Sequence, residues 1–169
     1  MDILPGYPIT ITLTTDEADL SWCAELTAMN EPWITLKRTA AGSLELLKGP
    51  VSEVYILKEG DQRVGFVLIK QKGSLVGYIQ TIAIAEEYRG RGIGEAALRY
   101  IEQLIFRSFS NVFLCVSSFN HRAQQLYQRL GYETIGVLKD YAVAGHDEIL
   151  LRKTEGPISE FSQRKNDPA

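Results

Sequence analysis

Tyr88-Arg89-Gly90-Arg91-Gly92-Ile93-Gly94-Glu95 is the stretch on which the fold of this chain turns. It follows a strand-like run at 76–84 and leads into a helical pattern over 92–107. In that pattern Ile93, Ala97, Ile101, Leu104 and Ile105 recur at helical spacing, and Glu95 stands four residues before Arg99. The glycines let the backbone approach a ligand without Cβ clashes. The first N–H groups of the following helix lack partners within it and carry the positive end of its dipole. The stretch is therefore expected to hold an anion such as a phosphate, with Arg89 and Arg91 adding positive charge. Two familiar phosphate loops do not fit. A Walker loop needs Gly-Lys-Ser/Thr, but Gly94 is followed by Glu95, and Glu95 also occupies the third glycine position of a dinucleotide fingerprint. The plainer alternative is a glycine-rich turn that only joins strand to helix.

Working outward, 112–116 is the apolar run Val-Phe-Leu-Cys-Val, as expected of a strand buried on both faces. Asn120 opens another helix with Ala123, Leu126, Tyr127 and Leu130 on one face, and Gly131 closes it. Strands at 132–138 and 147–152 follow. Strand, loop, helix, strand is a βαβ unit, so the strands ending at Ile84 and Val116 are expected to be parallel neighbours. Upstream, the runs 54–58, 64–70 and 76–84 are separated by Glu59-Gly60-Asp61-Gln62 and by a turn with Gly73 and Ser74, the pattern of an antiparallel meander. A strand at 9–13 precedes a helix from Asp16 to Met29, capped by Thr14 or Thr15 and stopped before Glu31-Pro32. A second helix is expected over 36–47, ended by Gly49-Pro50. The fold class is α/β (α+β mixed sheet), antiparallel first and parallel in the middle, with helices on both faces. A single domain is expected over 1–154, with a polar, mobile tail over 155–169.

The 169 residues are enough for one core, and 45% hydrophobic with 23% charged is a composition that folds. A formal net charge of −3 argues against binding nucleic acid through bulk positive charge. Cys23 and Cys115 have no second Cys or His at metal-ligand spacing, so neither a metal site nor a disulfide framework is expected. The start of the chain lacks a basic and apolar leader, and no apolar run reaches membrane-spanning length. A cytoplasmic protein without a membrane partner is the expectation, as a monomer or homodimer.

Arg89-x-x-Gly92-x-Gly94 resembles the Arg/Gln-x-x-Gly-x-Gly/Ala cofactor signature of the GNAT acyltransferase superfamily. Asn120-x-x-Ala123-x-x-Leu126-Tyr127-x-x-Leu130-Gly131-Tyr132 resembles the second signature of that family, in the right order and at the usual separation. The resemblance is clear over 54–152 and, in the second half, is nearest to the RimI-type branch, which acetylates protein N-termini. It implies the GNAT fold and an acetyl-CoA-dependent N-acetyltransferase without a metal. It also implies that backbone groups of Ile82, Ala83 and Ile84 pair with the pantetheine arm and acetyl carbonyl. The amides of Arg89, Gly90, Arg91, Gly92, Ile93 and Gly94 would hold the pyrophosphate, and Asn120 the pantetheine region. Tyr127 would be the general acid for the departing thiolate. Read from the residues alone, Asn120 is also a helix cap and Tyr127 a core aromatic.

RimI-type enzymes carry a glutamate base in the pattern Leu-Glu-Val, where this chain has Leu114-Cys115-Val116. A buried neutral Cys is a poor substitute. The other usual base position holds Tyr78, the candidate for relaying the proton directly or through water; a packing aromatic is the alternative. Glu31 or Glu86 is a further candidate carboxylate. The resemblance places substrate contacts at Glu31, Trp33 and Tyr141; the first two read equally as a solvated charge and a packed aromatic. Trp22 reads as core beside Leu26. An α-amino group, with a pKa of about 7.7–8.0, is roughly a tenth neutral at pH 7. A lysine at about 10.4 is neutral to well under 0.1%, a penalty of about 4–5 kcal/mol. A site without an obvious carboxylate therefore suits a protein or peptide α-amino group. A small-molecule amine and a non-catalytic acetyl-CoA-binding module are the alternatives.

Overall fold

Where the sequence alternates or runs apolar, strands form. The computed structural model describes residues 1–161. In chain order the elements are β1 (Asp2–Ile3), β2 (Thr10–Thr14), α1 (Glu17–Ala28), α2 (Ala40–Leu47), β3 (Ser52–Glu59), β4 (Gln62–Lys70) and β5 (Tyr78–Ile84). A 3-10 turn (Glu86–Tyr88) leads to α3 (Ile93–Phe106), β6 (Asn111–Ser117), α4 (His121–Arg129), β7 (Glu133–Val143) and β8 (His146–Thr154). The chain divides into two compact units. The first is Met1–Lys70 with Ile79–Ile101, and the second is Gln71–Tyr78 with the residues from Glu102 onward.

In the first unit the strand order is β1-β2-β3-β4-β5. β2 and β3 are antiparallel, and β3 and β4 form the expected hairpin, with Glu59 opposite Gln62 across Gly60-Asp61. The end of β5 meets the start of β4, where the Ala85 N–H donates to the Val64 carbonyl at 2.9 Å. Gly65 permits that approach: a Cβ there would collide with the Ala83 carbonyl and lie 2.7 Å from Ile84 Cδ1. α1 and α2 supply Leu20, Cys23, Ala24 and Leu47 to a core with Val54, Ile56, Phe66, Leu68 and Ala83. Trp22, Leu26 and Trp33 pack at its margin, so Trp22 is a packing residue as expected.

The cap of α1 and the start of α2 differ from the sequence reading, both because a side chain caps better elsewhere. α1 is capped by Asp16 rather than Thr14 or Thr15: the Asp16 carboxylate accepts from the Asp19 N–H at 2.9 Å. α2 begins at Ala40 rather than near 36, because Thr39 Oγ1 accepts from the Gly42 N–H and Lys37 has φ +55.

The second unit carries the strand order β6-β8-β7, all antiparallel pairs. β6 is not buried on both faces: Val112, Leu114 and Val116 are buried, while Phe113 and Cys115 are only half-buried. β4 is the strand whose residues from Val64 to Ile69 are all buried. β7 and β8 form a longer hairpin than 132–138 and 147–152 suggested, with Gly145 (φ +85) in its turn. Of the tail expected over 155–169, residues 158–161 form one helical turn and the remainder lies outside the described residues. Among the described residues no helix is long and apolar enough to cross a membrane.

Candidate active site

The glycine-rich loop sits in the first unit, between the 3-10 turn and α3. Gly90 (φ +74) and Gly92 (φ +81) take backbone conformations that other residues avoid. Among the described residues the N–H groups of Gly90 through Gly94 donate to no backbone or side-chain acceptor. The first helical bond there runs from the Ala96 N–H to the Gly92 carbonyl, 3.0 Å. Gly90, Arg91 and Gly92 are exposed at the positive end of a helix, while Ile93 is buried. The loop's shape is fixed from outside. The Tyr7 hydroxyl donates to the Arg91 carbonyl at 2.8 Å, and the Arg91 guanidinium lies 5.3 Å from the Tyr88 ring centroid. Arg89 turns back: its Nε donates to the Ile84 carbonyl at 2.8 Å and its Nη2 to Asn30 Oδ1 at 2.5 Å. Its guanidinium is thus a tie between β5, the end of α1 and the loop. Of the β5 backbone groups singled out, the Ile84 carbonyl is taken by Arg89. The Ala83 carbonyl lies where Gly65 has no side chain.

Also in the first unit, Glu31 caps its own turn, accepting from the Thr35 N–H (3.2 Å) and hydroxyl (3.0 Å). Trp33 is half-buried against the core, the packing alternative. Glu86 lines a cleft of about 430 Å³ with Trp22, Glu25, Asn30, Asp61 and Glu87.

The second unit holds Tyr78, Tyr127, Tyr132 and Tyr141. Gly77 (φ +79), just before β5, accepts from the Phe113 N–H of β6 at 3.0 Å. A Cβ at Gly77 would collide with the Asn111 carbonyl, so only glycine allows this approach. The approach brings Tyr78 to Cys115. Burial first, then the Cys115 thiol, then the charges of Tyr141 and Glu148 push the Tyr78 pKa far above that of a free phenol. Burial also pushes the Cys115 thiol up, against the opposing influence of Tyr78. Glu148 of β8 stands opposite Ser117 of β6 in register, is 7% exposed, and accepts from the Ser117 hydroxyl at 2.6 Å. The sequence reading did not single out Glu148. Tyr141 is 69% exposed on β7.

Asn120 caps α4, its Oδ1 accepting from the Ala123 N–H at 3.2 Å. This uses the carbonyl oxygen and leaves the amide NH2 for other partners. Tyr127 of α4 is buried, with its ring 5.6 Å from that of Tyr132 in an edge contact. Burial raises its pKa to about 12. Among the described residues its hydroxyl has no hydrogen-bond partner, and it is not among the fully enclosed unpartnered atoms. It is a protonated donor whose hydrogen-bonding capacity is unused within the described residues. Tyr7 and Asn30 were also missed by sequence reading, because they act on the loop through a hydroxyl and an amide far away in the chain. Among the described residues no group of three or more His, Cys, Asp or Glu side chains is placed to hold a metal ion.

Residues 17–132 match the model of a protein family described as "Acetyltransferase (GNAT) family". The chain is 32% identical over 160 residues to the N-alpha-acetyltransferase RimI of Mycobacterium tuberculosis, covering 90% of this chain and 96% of that one. It is 34% identical over 93 residues to an N-alpha-acetyltransferase of Saccharolobus solfataricus, covering 53% and 56%. Among solved structures, the ribosomal-protein-S18-alanine N-acetyltransferase of Escherichia coli has a TM-score of 0.72 at 16% identity, covering 88% and 95%. Identity that low carries a likeness of fold and nothing finer.

Proposed function

We propose that this chain, which belongs to the acetyltransferase (GNAT) family and is an acetyl-CoA-dependent N-acetyltransferase, acetylates the α-amino group of a protein or peptide. The observation that carries the acceptor is its likeness, over nine-tenths of its length, to a relative named N-alpha-acetyltransferase. The site chemistry agrees. The side chains nearest the expected base position are a phenol and a thiol that burial keeps neutral. An α-amino group, about a tenth neutral at pH 7, asks less of any group that accepts its proton than a lysine would.

The unpartnered amides of Gly90 to Gly94 fit a diphosphate: donors in series, glycine at every second position, and a helix dipole behind them. Acetyl-CoA supplies an activated acetyl thioester. The attacking amine forms a bond to the carbonyl carbon as the C–S bond breaks, the departing sulfur takes the proton of Tyr127, and the proton the nitrogen loses restores Tyr127. Backbone groups of Ile82, Ala83 and Ile84 align the acyl arm, and the Asn120 amide contacts the pantetheine region. Of the residues expected to contact the acceptor, Tyr141 is the exposed side chain left for that role, since Glu31 is tied into its own turn and Trp33 packs against the core.

A thiol-release assay compares an α-amino peptide with its Nα-blocked, lysine-containing counterpart and with a polyamine. The first is expected to turn over at least tenfold faster per unit concentration. Preference for the blocked peptide or the polyamine would overturn the acceptor assignment.

A further inference from the structure

At pH 7 about nine in ten α-amino groups carry a proton that must leave before nitrogen can attack. Neither Tyr78 nor Cys115 is ionised to receive it. A carboxylate does stand beside them. Cross-strand partners share a sheet face, and so do residues two apart along a strand. Register pairs Cys115 with Leu150 and Ser117 with Glu148, so Cys115, Ser117 and Glu148 share one face, with Glu148 diagonal to Cys115. Tyr78 reaches that face from β5, held to β6 through the Gly77 carbonyl. The Ser117 hydroxyl fixes the Glu148 Oε1 oxygen at 2.6 Å. Oε2 has no partner among the described residues and is not fully enclosed.

We infer that Glu148 receives the proton of the incoming ammonium group, relayed by the Tyr78 hydroxyl directly or through one water, and that Ser117 positions the carboxylate. The acidic function absent at Cys115 is supplied from the neighbouring strand. This rests on the proposed reaction with an amine. As the ammonium gives one proton to the Tyr78 oxygen, the Tyr78 proton passes to Glu148 Oε2. The freed nitrogen pair forms the C–N bond at the thioester carbonyl, the C–S bond breaks, and sulfur takes the Tyr127 proton. The second nitrogen proton restores Tyr127, and Glu148 releases its proton to solvent. The groups facing Glu148 are Tyr78 of β5 and Cys115 and Ser117 of β6; its register partner on β7 is the apolar Leu138.

Glu148→Gln keeps an oxygen for the Ser117 hydroxyl and removes only the charge. Its kcat on the α-amino peptide is expected to fall about 100-fold or more at pH 7, with the Kd for acetyl-CoA unchanged by calorimetry. The deficit should narrow above pH ~8, where the amine is neutral without help. Glu148→Asp should retain more activity than Glu148→Gln, and Ser117→Ala should show a smaller deficit with the same pH dependence. Wild-type kcat in Glu148→Gln, or a deficit equal at pH 7 and pH 9.5, would overturn the assignment. If Glu148→Gln does not fold by thermal melting, Ser117→Ala and Glu148→Asp decide by the same pH criterion. If wild type acetylates only a polyamine, the acceptor reading fails, while the variant-to-wild-type ratio on that amine, followed past its own pKa, still tests Glu148.

Discussion

Tyr127 joins two properties that seldom occur together: a ring buried against Tyr132 and a hydroxyl without a partner among the described residues. Burial favours the neutral form, so the folded pKa lies above the free phenol value, at about 12. The group therefore remains a proton donor throughout the pH range in which an amine becomes neutral. Tyr127→Phe is expected to bind acetyl-CoA as tightly as wild type and to lose about 100-fold or more in kcat. Wild-type kcat should show no alkaline fall between pH 8 and about 10 from loss of this proton, which a pH–rate profile reads directly. A second residue-scale prediction concerns Gly92. A Cβ there would lie 2.5 Å from the Tyr7 hydroxyl, at a backbone φ of +81. Forcing that conformation on alanine costs about 1–2 kcal/mol. Gly92→Ala should thus weaken acetyl-CoA binding roughly tenfold in calorimetry, with kcat at saturation much less affected.

Among the elements, α1 is anchored to the strands beside it by charge as well as by packing. Asp19, in its first turn, is 3% exposed and takes bonds from Arg63 Nε at 2.8 Å, Lys58 Nζ at 3.0 Å and the Thr14 hydroxyl at 3.1 Å. Burial alone would raise its pKa; the bonds from Arg63 and Lys58 outweigh this and leave it below the ordinary aspartate value. A depressed folded pKa gives stability that is present above the unfolded value, near 4, and is lost as pH falls through the folded one. Asp19→Asn should destabilise the protein by about 2 kcal/mol at pH 7, since it leaves two cations short of a partner. In denaturant melts the gap to wild type should shrink below pH ~4. Asp19 sits in a polar-looking first turn, and nothing in its sequence neighbourhood marks it as buried. Its cationic partners are 39 and 44 residues away. By contrast, the β3–β4 hairpin, α3 and α4 were legible because each is written locally, in period, turn glycines and caps. The cap of α1 was misassigned where three capping side chains, Thr14, Thr15 and Asp16, compete within three residues, and the start of α2 was set too early because its cap, Thr39, was not weighed.

For the molecule as a whole, the main elements and the glycine-rich loop at the start of α3 could be read from the sequence, because backbone geometry at consecutive residues defines them. Glu148 could not: its role depends on facing Ser117 across strands 31 residues apart, and only strand register reveals that. The loop has a consequence for global stability. A ligand that binds only the native state at 100 times its Kd adds about 2.7 kcal/mol. For a domain of about 150–250 residues each kcal/mol raises Tm by roughly 2–4 °C. Saturating acetyl-CoA should then raise Tm by about 5–11 °C. If the amides of Gly90 to Gly94 grip the diphosphate, an adenosine diphosphate bearing no pantetheine arm should reproduce part of that rise, and pantetheine alone should give less. Gly92→Ala should reduce the response to both diphosphate ligands and leave the response to pantetheine alone unchanged. Equal stabilisation by pantetheine and the diphosphate fragment would move the main contact away from the loop, because only the fragment carries the charge those unpartnered donors recognise.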